Sequence, residues 1–388
     1  MPLNKTFYFH GMKIIRLGFI LMICLQAKAQ QTPDYLLIGT YTNAGSYGMY
    51  VAAFNRTNGK LTTVDSVKAS NPSFLTVAPN KKTVFVVNED AANAIPKGAV
   101  SSYAFDRSTG HLLFLNQQKT MGNNPCYISI DRTGKWIFTG NYSSGNFTVL
   151  PVNTLTGKID TATITIQHEG SSVNKERQSE PHVHATVLSK NNQWLLVPDL
   201  GTDKLMVYRF NKKKGTITAG AQPFVKTVPG SGPRHVSFSP SGKYLYLIQE
   251  LTGMVGAYRF SPKKGTLKLV QQISSVPDSF NRFAGSADIH VSPDGKFLYA
   301  SNRGESNSIA TFSIHRSNGQ LAKIAVDSVL GLTPRNFSIH PSGKYLLVAN
   351  QNSNEVVVFE RNITTGLLTD TGSRLKLSKP VCLQWVLP

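Results

Sequence analysis

Residues 232–250 read "GPRHVSFSPSGKYLYLIQE": alternating apolar residues, a Ser-Pro-Ser-Gly turn, then a nearly continuous apolar run. Side chains alternate between the two faces of a strand, and turns collect Gly, Pro and Ser, so this is the pattern of an antiparallel hairpin buried near a core. The phrase recurs as "NPSFLTVAPNKKTVFVVNE" (71–89), "NPCYISIDRTGKWIFTGNY" (124–142), "HVHATVLSKNNQWLLVPDL" (182–200), "SADIHVSPDGKFLYASNRG" (286–304) and "TPRNFSIHPSGKYLLVANQ" (333–351), making six complete copies. A second phrase, x-Gly-x-Leu/Ile, closes another hairpin seven times, with its glycine at Gly59, Gly110, Gly157, Gly215, Gly265, Gly319 and Gly366.

Six against seven is resolved at the chain ends. "KPVCLQWVLP" (379–388) supplies the first strand of the missing hairpin and "DYLLIGTY" (34–41) the second. Two hairpins per repeat give four strands, and the chain beyond residue 29 divides into seven units of about 51 residues, the scale of a propeller blade. The expected fold is all-β: a seven-bladed β-propeller of four-stranded blades, closed by pairing of its N- and C-terminal strands, as one domain over 33–388. Closure also removes exposed sheet edges. An open β-solenoid would not explain why the two ends are complementary halves of one unit.

Ahead of the repeats stands "MKIIRLGFILMICLQAKAQ" (12–30), with a basic start, an apolar stretch and Ala27-Lys28-Ala29 as a small-x-small cleavage site. Residues 1–29 therefore read as a secretory signal peptide, with translation starting at Met12 as an option, and the mature chain is expected to be exported, periplasmic or extracellular. No later apolar run is long enough to span a membrane. The formal charge of +20 falls to +16 once Lys5, Lys13, Arg16 and Lys28 leave with the signal. That excess favours small anionic ligands. The bases are spread rather than clustered in an arm, so no nucleic-acid partner is expected, and a monomer is. Cys126 and Cys382 are too few for a disulfide framework and are expected to be buried thiols.

Because the repeats share a register, residues can be compared between blades. Aligned on their turns, the copies put Ser73, Cys126, His184, Arg234, Ala287 and Arg335 at the start of the inner strand. Tyr41, Glu89, Tyr142, Leu200, Glu250, Arg303 and Gln351 share the end of the second strand. Both positions ring one mouth of the central channel. Hairpin arithmetic pairs Arg234 with Gln249, and His184 with Asp199, which would then orient it. His184, Arg234, Glu250 and Arg303 thus converge on one rim from three consecutive blades, where other blades offer Ser, Cys, Ala or Leu. The segment 167–180, "QHEGSSVNKERQSE", lengthens the spacing before His184, as a loop folding over that mouth would.

A metal reading of His182 and His184, with His235, His290 or Asp199 completing the set, is an alternative, since residues i and i+2 share a strand face. The fixed-spacing signatures of hydrolytic metal sites are absent, as is a G-x-S-x-G nucleophile elbow, and Cys126 carries no mark of a catalytic thiol. A non-enzymatic ligand-binding propeller would call for an apolar or aromatic mouth.

The blocks "RQSEPHVHA", "DLGTDK", "GPRH…E" and "SNRG", in that order over essentially the whole mature chain, resemble the lactonase family of seven-bladed propellers, whose members include the propeller type of 6-phosphogluconolactonase and the carboxymuconate-lactonising enzyme. The resemblance implies a lactone hydrolase acting on a small anionic or sugar lactone with no metal or other cofactor. A lactone-forming cycloisomerase is the alternative within the family. Carried over residue by residue, it marks His184, Arg234, Glu250 and Arg303 as catalytic, and His182, Arg177, Gln178, Asp199 and His235 as substrate-lining. Either His184 or Glu250 can act as base. Arg234 and Arg303 are left to stabilise an oxyanion or hold a carboxylate or phosphate.

Overall fold

In the computed structural model, which describes residues 1–6, 33–90 and 97–387, every regular element is a strand. The cleavage motif of the expected signal peptide lies outside the described residues. Among them, no helix is long and apolar enough to cross a membrane. The strands form seven four-stranded antiparallel sheets in a ring, one per sequence repeat. The hybrid blade is ordered Pro380–Val386, Asp34–Thr40, Gly48–Phe54 and Leu61–Lys68, so the C-terminal strand pairs with the N-terminal one as the complementary ends require.

Alternation within each strand feeds the gaps between blades. One apolar cluster fills each of the seven blade-to-blade interfaces, from the hybrid blade round to its far neighbour. In one, Leu196 and Val207 meet Leu245, Leu247 and Tyr258, all essentially inaccessible to water except for the 1% of Tyr258. Each such side chain contributes roughly 1.5–3 kcal/mol by burial.

The seven glycines of the second phrase share a physical cause. Each has φ between 69° and 81°, a left-handed conformation that side chains disfavour. Several also abut an aromatic ring of the neighbouring blade: a Cβ on Gly215 would stand 2.3 Å from Trp136, and one on Gly319 2.2 Å from Tyr244. These turns therefore lock one blade to the next.

The inner strands depart from simple hairpin arithmetic at the rim. His235 pairs with Ile248, but Gln249 pairs with Pro233, so Arg234 is an extra residue in a β-bulge rather than the partner of Gln249. Cys126 and Arg335 are extra residues in the same way, and the inner strand Ser286–Val291 shifts register near Ala287. In the blade of His184, Val183 bridges Asp199, which moves His184 off Asp199 by one position. Bulges re-aim side chains. Here they recur at the repeat position that surrounds the channel mouth.

Candidate active site

A cavity of about 280 Å³ opens at that mouth, and its lining includes His184, Glu250, Arg177, Arg303, Arg335, Tyr41, Glu89, Tyr142 and Cys126. Glu250, at the end of its strand, is the centre of one wall. Its Oε1 accepts a hydrogen bond from Arg177 Nη2 at 2.7 Å, and its Oε2 accepts from Arg234 Nε at 2.9 Å and pairs with Arg303 Nη2 at 3.0 Å. Burial alone would raise its pKa, yet Arg303, Arg234 and Arg177 outweigh burial and hold it down to about 2. A carboxylate so fully engaged is a weak proton acceptor.

Arg234 itself does not line the cavity. Its guanidinium lies beneath Glu250, also donating to the Ala287 carbonyl and, at 3.2 Å, to His235 Nε2. His235 in turn donates from Nδ1 to Asp288 Oδ1 at 2.8 Å, and the second Asp288 oxygen binds His290 and Asn336. Burial and Arg234 push His235 down to about 4, so it is neutral and its Nε2 is free to accept. His235 also meets Phe74 and Tyr127 edge-on. It forms part of a packed floor beneath the cavity, rather than its lining.

His184 faces the cavity beside Glu250, with Nε2 4.0 Å from Glu250 Oε2, too far for a hydrogen bond. Its Nδ1 lies 3.7 Å from the Cys126 thiol. Burial first, and the Arg234 charge second, hold its pKa well below the ordinary imidazole value, so it is neutral at pH 7. Cys126 and Cys382 are free, buried thiols, and burial pushes both up to about 12, far from a reactive thiolate.

The remaining residues singled out in sequence hold the loop that delivers Arg177. Asp199 does not orient His184. One of its oxygens accepts from the backbone N–H groups of His182, Gly201 and Thr202, and the other from His168 Nδ1 at 2.8 Å, so a single carboxylate pins the loop at both ends. Asp203 adds Ser172 and the N–H groups of Gly230 and Gly232, tying the loop to the entry of the Arg234 strand. Gln178 is wholly buried and donates to the Leu200 carbonyl at 2.8 Å. Gly201 is required by close approach: a Cβ there would stand 1.9 Å from the Glu180 carbonyl oxygen. His182 stacks flat on Tyr142 at 4.4 Å with Nδ1 at 3.1 Å from the Tyr142 carbonyl. His184 meets the same Tyr142 ring edge-on at 5.4 Å, so the two histidines of "HVH" pack on one tyrosine in different ways, and among the described residues no group of three or more His, Cys, Asp and Glu side chains is placed to hold a metal ion.

Asp199→Ala is therefore expected to free the loop in the otherwise folded protein. Losing charge-assisted bonds of about 1.5–3 kcal/mol predicts tryptic cleavage at Lys175 and Arg177 about tenfold faster or more under native conditions. Unchanged cleavage would remove Asp199 from that role.

Arg335, Tyr41, Glu89, Tyr142 and Cys126 line the cavity but were not among the expected site residues. The signal for them was present, since each occupies one of the two repeat positions that ring the mouth. What was missing was any reason, from sequence, to prefer them over other rim residues.

Fold and site together define a seven-bladed propeller with a charged, small-molecule cavity at one mouth of its channel. The family model "Lactonase, 7-bladed beta-propeller" matches residues 35–385. The 6-phosphogluconolactonase of Bacillus subtilis is 34% identical over 90% of this chain and 97% of its own length. That of Formosa agariphila is 37% identical over 90% of this chain and 98% of its own. The periplasmic gluconolactonase of Pseudomonas aeruginosa superposes with a TM-score of 0.86 at 36% identity, covering 91% of this chain and 99% of that one. The chain belongs to the lactonase family of seven-bladed β-propellers, and like its 6-phosphogluconolactonase relatives it is an enzyme of the carboxylic ester hydrolase class.

Proposed function

We propose that this protein opens a sugar lactone, of the 6-phosphogluconolactone or gluconolactone kind, by metal-independent attack of water at the propeller mouth. The observation that carries this reading is the pairing of a neutral, cavity-facing His184 with a glutamate already engaged by three arginines. Of the two possible bases, His184 has an unengaged ring nitrogen, whereas Glu250 has each oxygen committed. His184 Nε2 takes a proton from water as the water oxygen bonds to the lactone carbonyl carbon. Negative charge then builds on the carbonyl oxygen. Arg177 and Arg303, each with N–H groups beyond those given to Glu250, line the cavity to receive it. Collapse breaks the ring C–O bond, and the proton on His184 passes to the leaving alkoxide. Arg234, beneath the cavity, fixes the Glu250 clamp and keeps His184 neutral. The basic, apolar N-terminal segment and the periplasmic relative support action outside the cytoplasm.

The base must be neutral to act, and its pKa is lowered, so activity should hold as pH falls through 6.5 and decline only below it. A pH profile of kcat/KM for the free enzyme measures this directly. An acid limb centred above 6.5 would contradict His184 as base. Identifying the product by NMR separates ring opening from the lactone-forming direction.

A further inference from the structure

Of the four arginines at or beneath the mouth, three are bound to Glu250. Arg335 differs. It lines the same cavity one blade beyond Arg303, as the bulge residue of its strand, with its guanidinium over the Tyr41 ring at 5.2 Å. Tyr41 is held there by a 3.0 Å hydrogen bond from its hydroxyl to Glu89. Among the described residues Arg335 has no hydrogen bond and no ion pair within 4 Å, in contrast to the interior Arg361, which donates to Tyr299, Gly343 and Asp294. A ring face positions a guanidinium plane while leaving its N–H edge open, and that edge matches two oxygens of a carboxylate or phosphate. The mouth also carries four guanidinium charges against the two carboxylates of Glu89 and Glu250, and a neutral His184 adds none. Its volume suits one small ring with a substituent, being just below the roughly 300–1,000 Å³ of sites for drug-sized ligands.

We propose that Arg335 is the specificity-determining residue of this site, receiving a phosphate or carboxylate substituent of the lactone while the Glu250 wall faces the reacting carbonyl. This rests on the lactone-opening reading above, and it displaces Arg234 and Arg303 as holders of the substrate anion, because Arg234 does not line the cavity and the remaining N–H groups of Arg303 are given to the carbonyl oxygen.

The test is the ratio of kcat/KM for an anionic lactone to that for neutral glucono-1,5-lactone, measured for the wild type, Arg335→Met and Arg335→Lys. The two anionic arms are 6-phosphogluconolactone and a glucarolactone, and the arm with the higher wild-type ratio identifies the group recognised. Arg335→Met should lower that ratio by about 10–100-fold, mainly through KM, and Arg335→Lys should recover part of it. A ratio unchanged in Arg335→Met, whatever the absolute rates, would overturn the proposal. Calorimetric titration with 6-phosphogluconate and inorganic phosphate needs no turnover and so separates this inference from the hydrolase reading. Binding weakened at least about tenfold by Arg335→Met supports it, and equal binding in both proteins, or none in the wild type, defeats it.

Discussion

His184→Gln is expected to lower kcat by about 10²–10⁴-fold, the range that a positioned acid–base group supplies. Glutamine keeps much of the ring's volume and can still face Cys126, so the floor and the Glu250 clamp should survive. What it cannot do is take a proton from water. The residual rate, sustained by the remaining N–H groups of Arg177 and Arg303, should lose its acid limb, because no group titrating in that range is left in the reaction. That loss distinguishes a base from a packing residue: a structural defect would lower the rate while leaving the shape of the pH profile intact. A variant retaining most of its activity, or the original limb, would pass the role of base elsewhere.

Glu250→Gln should show its largest effect on stability. Removing one partner from a buried ion cluster leaves the others uncompensated, at a cost of about 3–5 kcal/mol. Here three guanidinium groups would share one neutral amide, and Arg234, wholly enclosed, has no route to water. The sign with pH follows from the lowered pKa. The clamp's stabilisation is fully present above the ordinary glutamate value near 4.3 and is lost as pH falls through about 2. The gap between wild type and variant in denaturant unfolding should therefore be widest at neutral pH and close towards pH 2. An unfolding free energy within 1 kcal/mol of wild type at pH 7 would contradict the clamp as described.

Most of the ring was legible because its causes are local and repeated. Each x-Gly-x-Leu glycine is fixed by a left-handed φ, each strand by its alternation, and closure by two chain ends that complete one hairpin. The convergence of His184, Glu250 and Arg303 was legible for the same reason, since register carries a residue from one blade to its equivalent in the next. The errors began where register breaks. A one-residue bulge at Arg234 and a shift beside His184 undid the pairings with Gln249 and Asp199. No apolar pattern marks such an insertion. The work of Asp199 and Gln178 was out of reach, because it depends on the path of the loop that brings Arg177 to Glu250. His235 likewise has its meaning from Asp288, 53 residues away in sequence. Arg335 is the opposite case: its repeat position is that of Arg234, and only the absence of a Glu250 contact sets it apart from the other three arginines.

Acid release, followed at constant pH with the purified and exhaustively chelated protein on 6-phosphogluconolactone and glucono-1,5-lactone, reaches the centre of these proposals. Catalysed opening of at least one of the two, well above the spontaneous rate, undiminished by the chelator and reduced at least about a hundredfold in His184→Gln, is the expected outcome. Opening no faster than in buffer for both lactones, or activity that vanishes with the chelator and returns with a divalent ion, would contradict metal-independent hydrolysis at this mouth.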